Sequence, residues 1–199
     1  MVEVKWDVFS LTFQNTERDL ESFRLASDGG LGALRTCVWV RETDGNDALG
    51  NLYHALGDRR HNRLEDLDDG ATIEGALADA GLPIARYVEA IADTGTFDTL
   101  RHDHVRLTDE QPVFGVPAIV LNDGAGPAIF GPVISNPIEE DQAVRDMWTH
   151  IYWLINEPNF SELKRHRTVE PDLESAREYQ RNMALNNTKA DEETDEPDS

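Results

Sequence analysis

Cysteine is almost missing from this chain: among 199 residues, Cys37 stands alone. A single thiol cannot close a disulfide within the chain, build a thiolate metal site or run a two-cysteine redox cycle unaided. Lysine is nearly absent too, confined to Lys5, Lys164 and Lys189, and the formal net charge is −21 at pH 7. A surface of that sign repels phosphate backbones and anionic headgroups, and no local basic patch offsets it, so neither nucleic acid nor membrane is an expected partner. The same acid-rich, lysine-poor surface suits a concentrated-salt, halophilic setting, where screening weakens self-repulsion. No apolar run has the length of a membrane span, and Met1 leads at once into an alternating segment, so a cytoplasmic location is expected. A serine-nucleophile signature, a phosphate-binding glycine loop and a dinucleotide fingerprint are all lacking.

What is present reads as an α/β protein with one core, expected over residues 1–170. Residues 3–13 alternate, with Val4, Trp6, Val8 and Ser10 on one face, which predicts a strand. From residue 15 to 107 the apolar spacing turns helical in pieces near 30–42, 46–57, 71–80, 83–92 and 96–107. Two apolar runs, 116–121 and 127–131, flank the turn Asn122-Asp123-Gly124-Ala125-Gly126 and predict a β-hairpin. Asn136, Pro137 and Glu139 sit as a cap, first residue and third residue of a helix expected to run to Asn156, where Glu157-Pro158 stops it. A last ordered piece is expected over 160–167. The polar, acid-rich stretch 171–199 is expected to be a disordered tail.

Individual side chains of interest have plain structural readings. Cys37 lies in an apolar helical stretch and is expected to be buried packing. Trp39, Tyr53 and Tyr87 are expected in the core. His102 and His104, two apart on a helix, do not share a face and are not expected to form a metal pair, although His54, His61, His102 and His104 could still converge in space. Asn15 has the position of a cap for a following helix, and His61 that of an exposed helix-end residue.

Gly115-Val116-Pro117-Ala118-Ile119 resembles the cis-proline loop that opens the third core strand of thioredoxin folds. Further segments agree in order: Val8-Phe9-Ser10-Leu11 with Asn15, Leu52-Tyr53-His54-Ala55-Leu56-Gly57 with Arg60-His61-Asn62, Ala78-Asp79-Ala80-Gly81-Leu82-Pro83, Phe130-Gly131-Pro132-Val133, and Phe160-Ser161-Glu162-Leu163-Lys164-Arg165. Taken together, residues 3 to about 172 resemble the DsbA-like mycothiol-dependent nitroreductase family of actinobacteria. The resemblance implies a thioredoxin-like core with a helical insertion over 15–107, a hairpin and helix over 116–156, and thiol-disulfide chemistry with mycothiol. It implies a low-molecular-weight thiol or disulfide as partner, with a homodimer left open. Val116, Pro117, Asn15 and His61 match positions that would line the thiol or substrate site.

In that family a strand and helix carrying Cys-Pro-Trp-Cys precede the segment that opens here, and this sequence does not contain them. Loss of a central strand would remove ladder bonds on both sides, together worth more than the usual net stability of roughly 5–15 kcal/mol. The expectation is therefore an N-terminally truncated chain, inactive alone. Two other readings stay open: a non-catalytic thioredoxin-like binding module, and a relative of kappa-type transferases and hydroxychromene-carboxylate isomerases.

Overall fold

Glycine and aspartate punctuate the first half of the chain, and between them apolar residues recur at helical spacing. The computed structural model describes residues 2–194. Five helices follow one another here: α2 (Leu31–Thr43), α3 (Asn46–His61), α4 (Gly70–Asp79), α5 (Ala85–Ala92) and α6 (Gly95–Asp109), preceded by a single turn α1 (Leu11–Gln14). Gly30 and Gly45 take φ of 78° and 94° ahead of α2 and α3, a backbone region that side chains disfavour. Asp69 caps α4, its carboxylate accepting the Ala71 amide.

The core lies inside this helical block. Val38, Val40, Leu52, Ile73, Leu77, Phe97 and Leu100 are at most 1% exposed and belong to one cluster with Val8, Phe13, Leu31 and Leu56. Burying such a side chain stabilises the fold by roughly 1.5–3 kcal/mol each. Helix α2 is central, packed on α3, α5 and α6. Buried Arg35 on α2 reaches across to the end of α5, and Cys37 is buried in the same helix.

After α6 the chain forms an antiparallel pair, β1 (Ala118–Val120) and β2 (Ala128–Phe130), with Ala118 opposite Phe130 and Val120 opposite Ala128. Gly126 fits the turn closely, since an added Cβ would lie 2.9 Å from the Leu121 carbonyl oxygen. Helix α7 (Asp141–Asn156) follows, then α8 (Glu174–Thr194). The architecture is thus mixed helical with a small two-stranded sheet, in keeping with the α/β class. Side chains of the second half are covered less well: Phe114, Val133, Tyr152 and Trp153 are all about half exposed or more.

Several expectations need correction. Residues 3–10 are extended but pair with no strand, and Leu11–Gln14 is helical, because Ser10 Oγ accepts the Phe13 amide at 3.2 Å and starts a turn. Alternation alone makes a strand only where a neighbour offers a ladder. Asn15 closes α1 and caps nothing after it. Helix α7 starts at Asp141, later than Pro137, since the Asn136 amide is engaged elsewhere: it donates to the Glu170 carbonyl at 3.1 Å and accepts the Asp172 amide at 2.7 Å. Residues 160–167 form neither helix nor strand. The tail expected to be disordered is helical over Glu174–Thr194, where Arg177 and Arg181 both bond Glu174; residues 195–199 lie outside the described residues. Tyr53 is 57% exposed and stacks on Trp6 outside the core.

Candidate functional site

Val116 and Pro117 stand at the start of β1, exposed on a stretch that leaves α6 through Val113, whose amide bonds the Leu107 carbonyl at 2.9 Å. The Val116–Pro117 peptide bond is cis, as is Gly131–Pro132. Gly115 lets the chain pass close to Phe130, and Phe114 stacks on the same ring at 5.5 Å. The Pro117 carbonyl accepts the Gly131 amide at 2.8 Å, and the Leu121 amide donates to the Pro127 carbonyl at 3.1 Å. In an antiparallel ladder the bonded residues alternate. Residues 117, 119 and 121 therefore face β2, while Ala118 and Val120 turn their backbone groups to the opposite, open edge; Val116 stands ahead of the ladder, across the cis bond.

Residues 3–9 present a second open edge. The Asn46 side chain donates to the Val4 carbonyl at 2.8 Å and accepts the Trp6 amide at 2.8 Å, so residues 4 and 6 face α3. The backbone groups of Glu3, Lys5 and Asp7 bond no other described residue. Side chains fix the segment in place: Asp7 accepts from Arg41 at 3.1 Å and from Arg106 at 2.7 Å, and Lys5 pairs with Asp123 in the hairpin turn at 2.9 Å. The Gln111 side-chain amide bonds the Gly124 carbonyl of that turn. Two extended backbones are thus held near one another, each with one edge free of ladder partners among the described residues.

Asn15 is exposed at the end of α1, and His61 is exposed at the end of α3 with Nδ1 3.2 Å from Ser175 Oγ. No hydrogen bond or ion pair among the described residues joins Val116–Pro117, Asn15 and His61. Two surface depressions of about 340 and 460 Å³ lie elsewhere. The first is flanked by His54, Asp58, Arg63 and Asp79, and Arg63 pairs with Asp58 at 2.9 Å and with Asp79 at 3.1 Å. The second is lined by Gly29, Gly30 and Asp68, the Asp68 carboxylate accepting both glycine amides.

Cys37 has no part in an exposed site: burial pushes its thiol up to about 12, against a smaller opposing pull from Arg41. His102 is exposed and His104 buried, and among the described residues no three His, Cys, Asp or Glu groups stand together to hold a metal ion. No helix among them is long and apolar enough to cross a membrane. The Asn46 clamp was not read from the sequence; its only signal there is an asparagine opening a helix opposite an alternating segment.

A family profile described as the Rv2466c-like mycothiol-dependent nitroreductase matches residues 1–165. The chain belongs to the Rv2466c-like family. A Mycobacterium tuberculosis protein described as uncharacterized protein Rv2286c is 30% identical over 121 residues, covering 61% of this chain and 47% of that protein. The chain spans about half the length of this curated relative. The Rv2466c-like description brings oxidoreductase chemistry and a low-molecular-weight thiol, mycothiol, to the family; the profile extends through the hairpin and α7.

Proposed function

We propose that this chain is the thiol-binding platform of a mycothiol-dependent thiol-disulfide oxidoreductase. Its core is a DsbA-type thioredoxin fold with the helices of residues 15–107 as insertion, N-terminally truncated so that the reactive cysteine pair lies in a segment outside these residues. The single observation that carries this reading is the profile match over residues 1–165. The backbone supports it: one extended strand placed between residues 3–9 and β1 would satisfy the open groups of Glu3, Lys5 and Asp7 on one side and of Ala118 and Val120 on the other. A buried backbone group left unpaired costs free energy comparable to a lost hydrogen bond, so a family sheet leaves no such edge inside it.

Mycothiol supplies a thiol able to exchange with a disulfide. Of the residues present, Val116 offers backbone groups that bond no other described residue, Pro117 shapes the loop that bears them, and exposed Asn15 offers a side-chain amide; these fit a thiol ligand. His61 is included as an exposed pocket-edge residue on α3. Cys37 is buried and protonated and does not exchange. The acidic surface suits work in a salt-rich cytoplasm, as a monomer or a homodimer. The burial of the one cysteine also favours a second reading, a non-catalytic binding module. The test is a fusion that places the family's strand and Cys-Pro-Trp-Cys helix ahead of residue 2. The fusion, first reduced to its dithiol, is expected to reduce mycothiol disulfide stoichiometrically as its cysteine pair closes to a disulfide, while the chain alone does not, and a folded but inert fusion would overturn the catalytic reading.

A further inference from the structure

We propose that His104 is a pH-sensitive latch: as a neutral imidazole it holds residues 8–15 against α6, and on protonation it releases them. The inference goes beyond the redox reading and does not depend on it. His104 is 4% exposed, with the Phe9 ring 4.7 Å and the Phe13 ring 5.5 Å away, centre to centre. Phe13 packs in turn on Phe23 and Phe97. The imidazole, tilted against Phe9 and edge-on to Phe13, is therefore part of an aromatic cluster that joins residues 8–15, which pair with no strand, to α6.

Nothing inside this cluster receives a charge. His104 Nδ1 has no hydrogen-bond partner. Of the charged groups around it, Asp7, just ahead of the held segment, is taken by Arg41 and Arg106, and Asp103 on α6 is taken by Arg41 of α2 at 2.6 Å. Helix α1 carries no charged residue. Asp109, farther along α6, is the one carboxylate that favours an imidazolium, and burial outweighs it, holding the ring below the ordinary imidazole value of 6.5. Aromatic faces attract a cation, but less strongly than the water that burial removes from the ring.

The sign follows. The closed state keeps His104 neutral and the open state lets it titrate normally, so closure is complete well above pH 6.5, weakens as pH falls below that value and levels off below the closed-state pKa. Lifting of residues 8–15, which are tied by no ladder, rehydrates the ring without rupture of α6, at the cost of exposing Val8 and Phe13 and breaking the Thr12 bond to the Gly29 carbonyl. Asn15 and the turn capped by Ser10 move with it.

The experiment is amide hydrogen exchange on the whole chain between pH 8 and pH 5, corrected for intrinsic chemistry. Protection at Phe13, Gln14 and Asn15 is expected to fall as pH drops below 6.5, by up to about tenfold per pH unit, the slope for one linked proton, and to level off below the closed-state pKa, while α3 holds its protection. In His104→Phe or His104→Leu that pH dependence is expected to vanish. Loss that persists in these variants would overturn the latch. Should both variants fail to fold, the carbon-bound ring protons of His104 in the unaltered chain decide by NMR: titration well below 6.5 supports the latch, and titration at or above 6.5 overturns it.

Discussion

Replacing Arg35 by methionine keeps much of the volume of a side chain that is 2% exposed and removes its guanidinium. In the intact protein Nε donates to Thr96 Oγ1 at 2.9 Å, and Nη2 donates to the carbonyls of Ala90, Ile91 and Asp93 at 3.2, 2.9 and 3.1 Å. These carbonyls close α5, where a helix has no internal partners to offer. The Thr96 hydroxyl also approaches Ala90 and Asp93, at 2.8 and 2.7 Å, so the variant leaves the Ile91 carbonyl as the acceptor with least compensation. One buried acceptor without a partner costs roughly 1–3 kcal/mol, and lost hydrogen bonds to a charged donor add to that. Dehydration of the guanidinium, which lowers its pKa and is not answered by a salt bridge, disappears in the variant and offsets part of the loss. The net destabilisation is expected to be about 2–3 kcal/mol. Urea unfolding followed by far-ultraviolet circular dichroism measures it, with the slope m unchanged. Arg35→Lys is expected to lose nearly as much, because one ammonium cannot reproduce a planar fork with this spread of acceptors. A loss below about 0.5 kcal/mol, or a gain, would refute the reasoning by showing that dehydration outweighs the bonds.

Three further outcomes are expected. Asn46→Ala removes both bonds to residues 4 and 6 and should raise amide exchange at Trp6 about fivefold, which is about 1 kcal/mol; unchanged exchange would mean the clamp holds nothing. Asp44 accepts two bonds from Arg86, at 2.8 and 3.1 Å, which hold its carboxyl below the ordinary 3.8. Its contribution is full above that value and declines as pH falls through the lowered folded-state value, so Asp44→Asn should cost about 1 kcal/mol at pH 7 and progressively less as the pH is taken below 3.8, by thermal unfolding. Cys37 should react with an alkylating reagent at pH 8 at least about a hundredfold more slowly in the folded chain than in urea; equal rates would place the thiol at the surface.

Much of the helical block was legible because its signals are local. The breaks at Asp44-Gly45, Asp68-Asp69-Gly70 and Gly81-Leu82-Pro83 separate helices whose bounds lie within a few residues of those expected, and Asn156 ends α7 ahead of Glu157-Pro158. The hairpin followed from two apolar runs around a glycine-bearing turn. What was misread depends on distant partners. Residues 3–10 alternate like a strand, yet whether they form one depends on a neighbour that local pattern does not supply. Asn136 has the form of a cap, but residues 170 and 172 compete for its amide and win. The tail was read from composition, which does not register that Glu174 can gather Arg177 and Arg181 one and two turns on. Of the candidate site, Val116 and Pro117 were legible as an opening loop, whereas the open edge beside them follows only from the ladder register. His104 was set aside as a poor metal ligand, and its aromatic surroundings come from residues 9 and 13 folding back on α6.

The most direct measurement is titration of the isotope-labelled chain with mycothiol and with its disulfide, followed by amide NMR. The reading of the chain as a thiol platform expects saturable shifts centred on Val116, Ala118 and the Asn15 side-chain amide, weakened in Asn15→Ala. Binding that leaves these signals unmoved, or no binding at millimolar ligand by a chain whose other resonances show it folded, would contradict it.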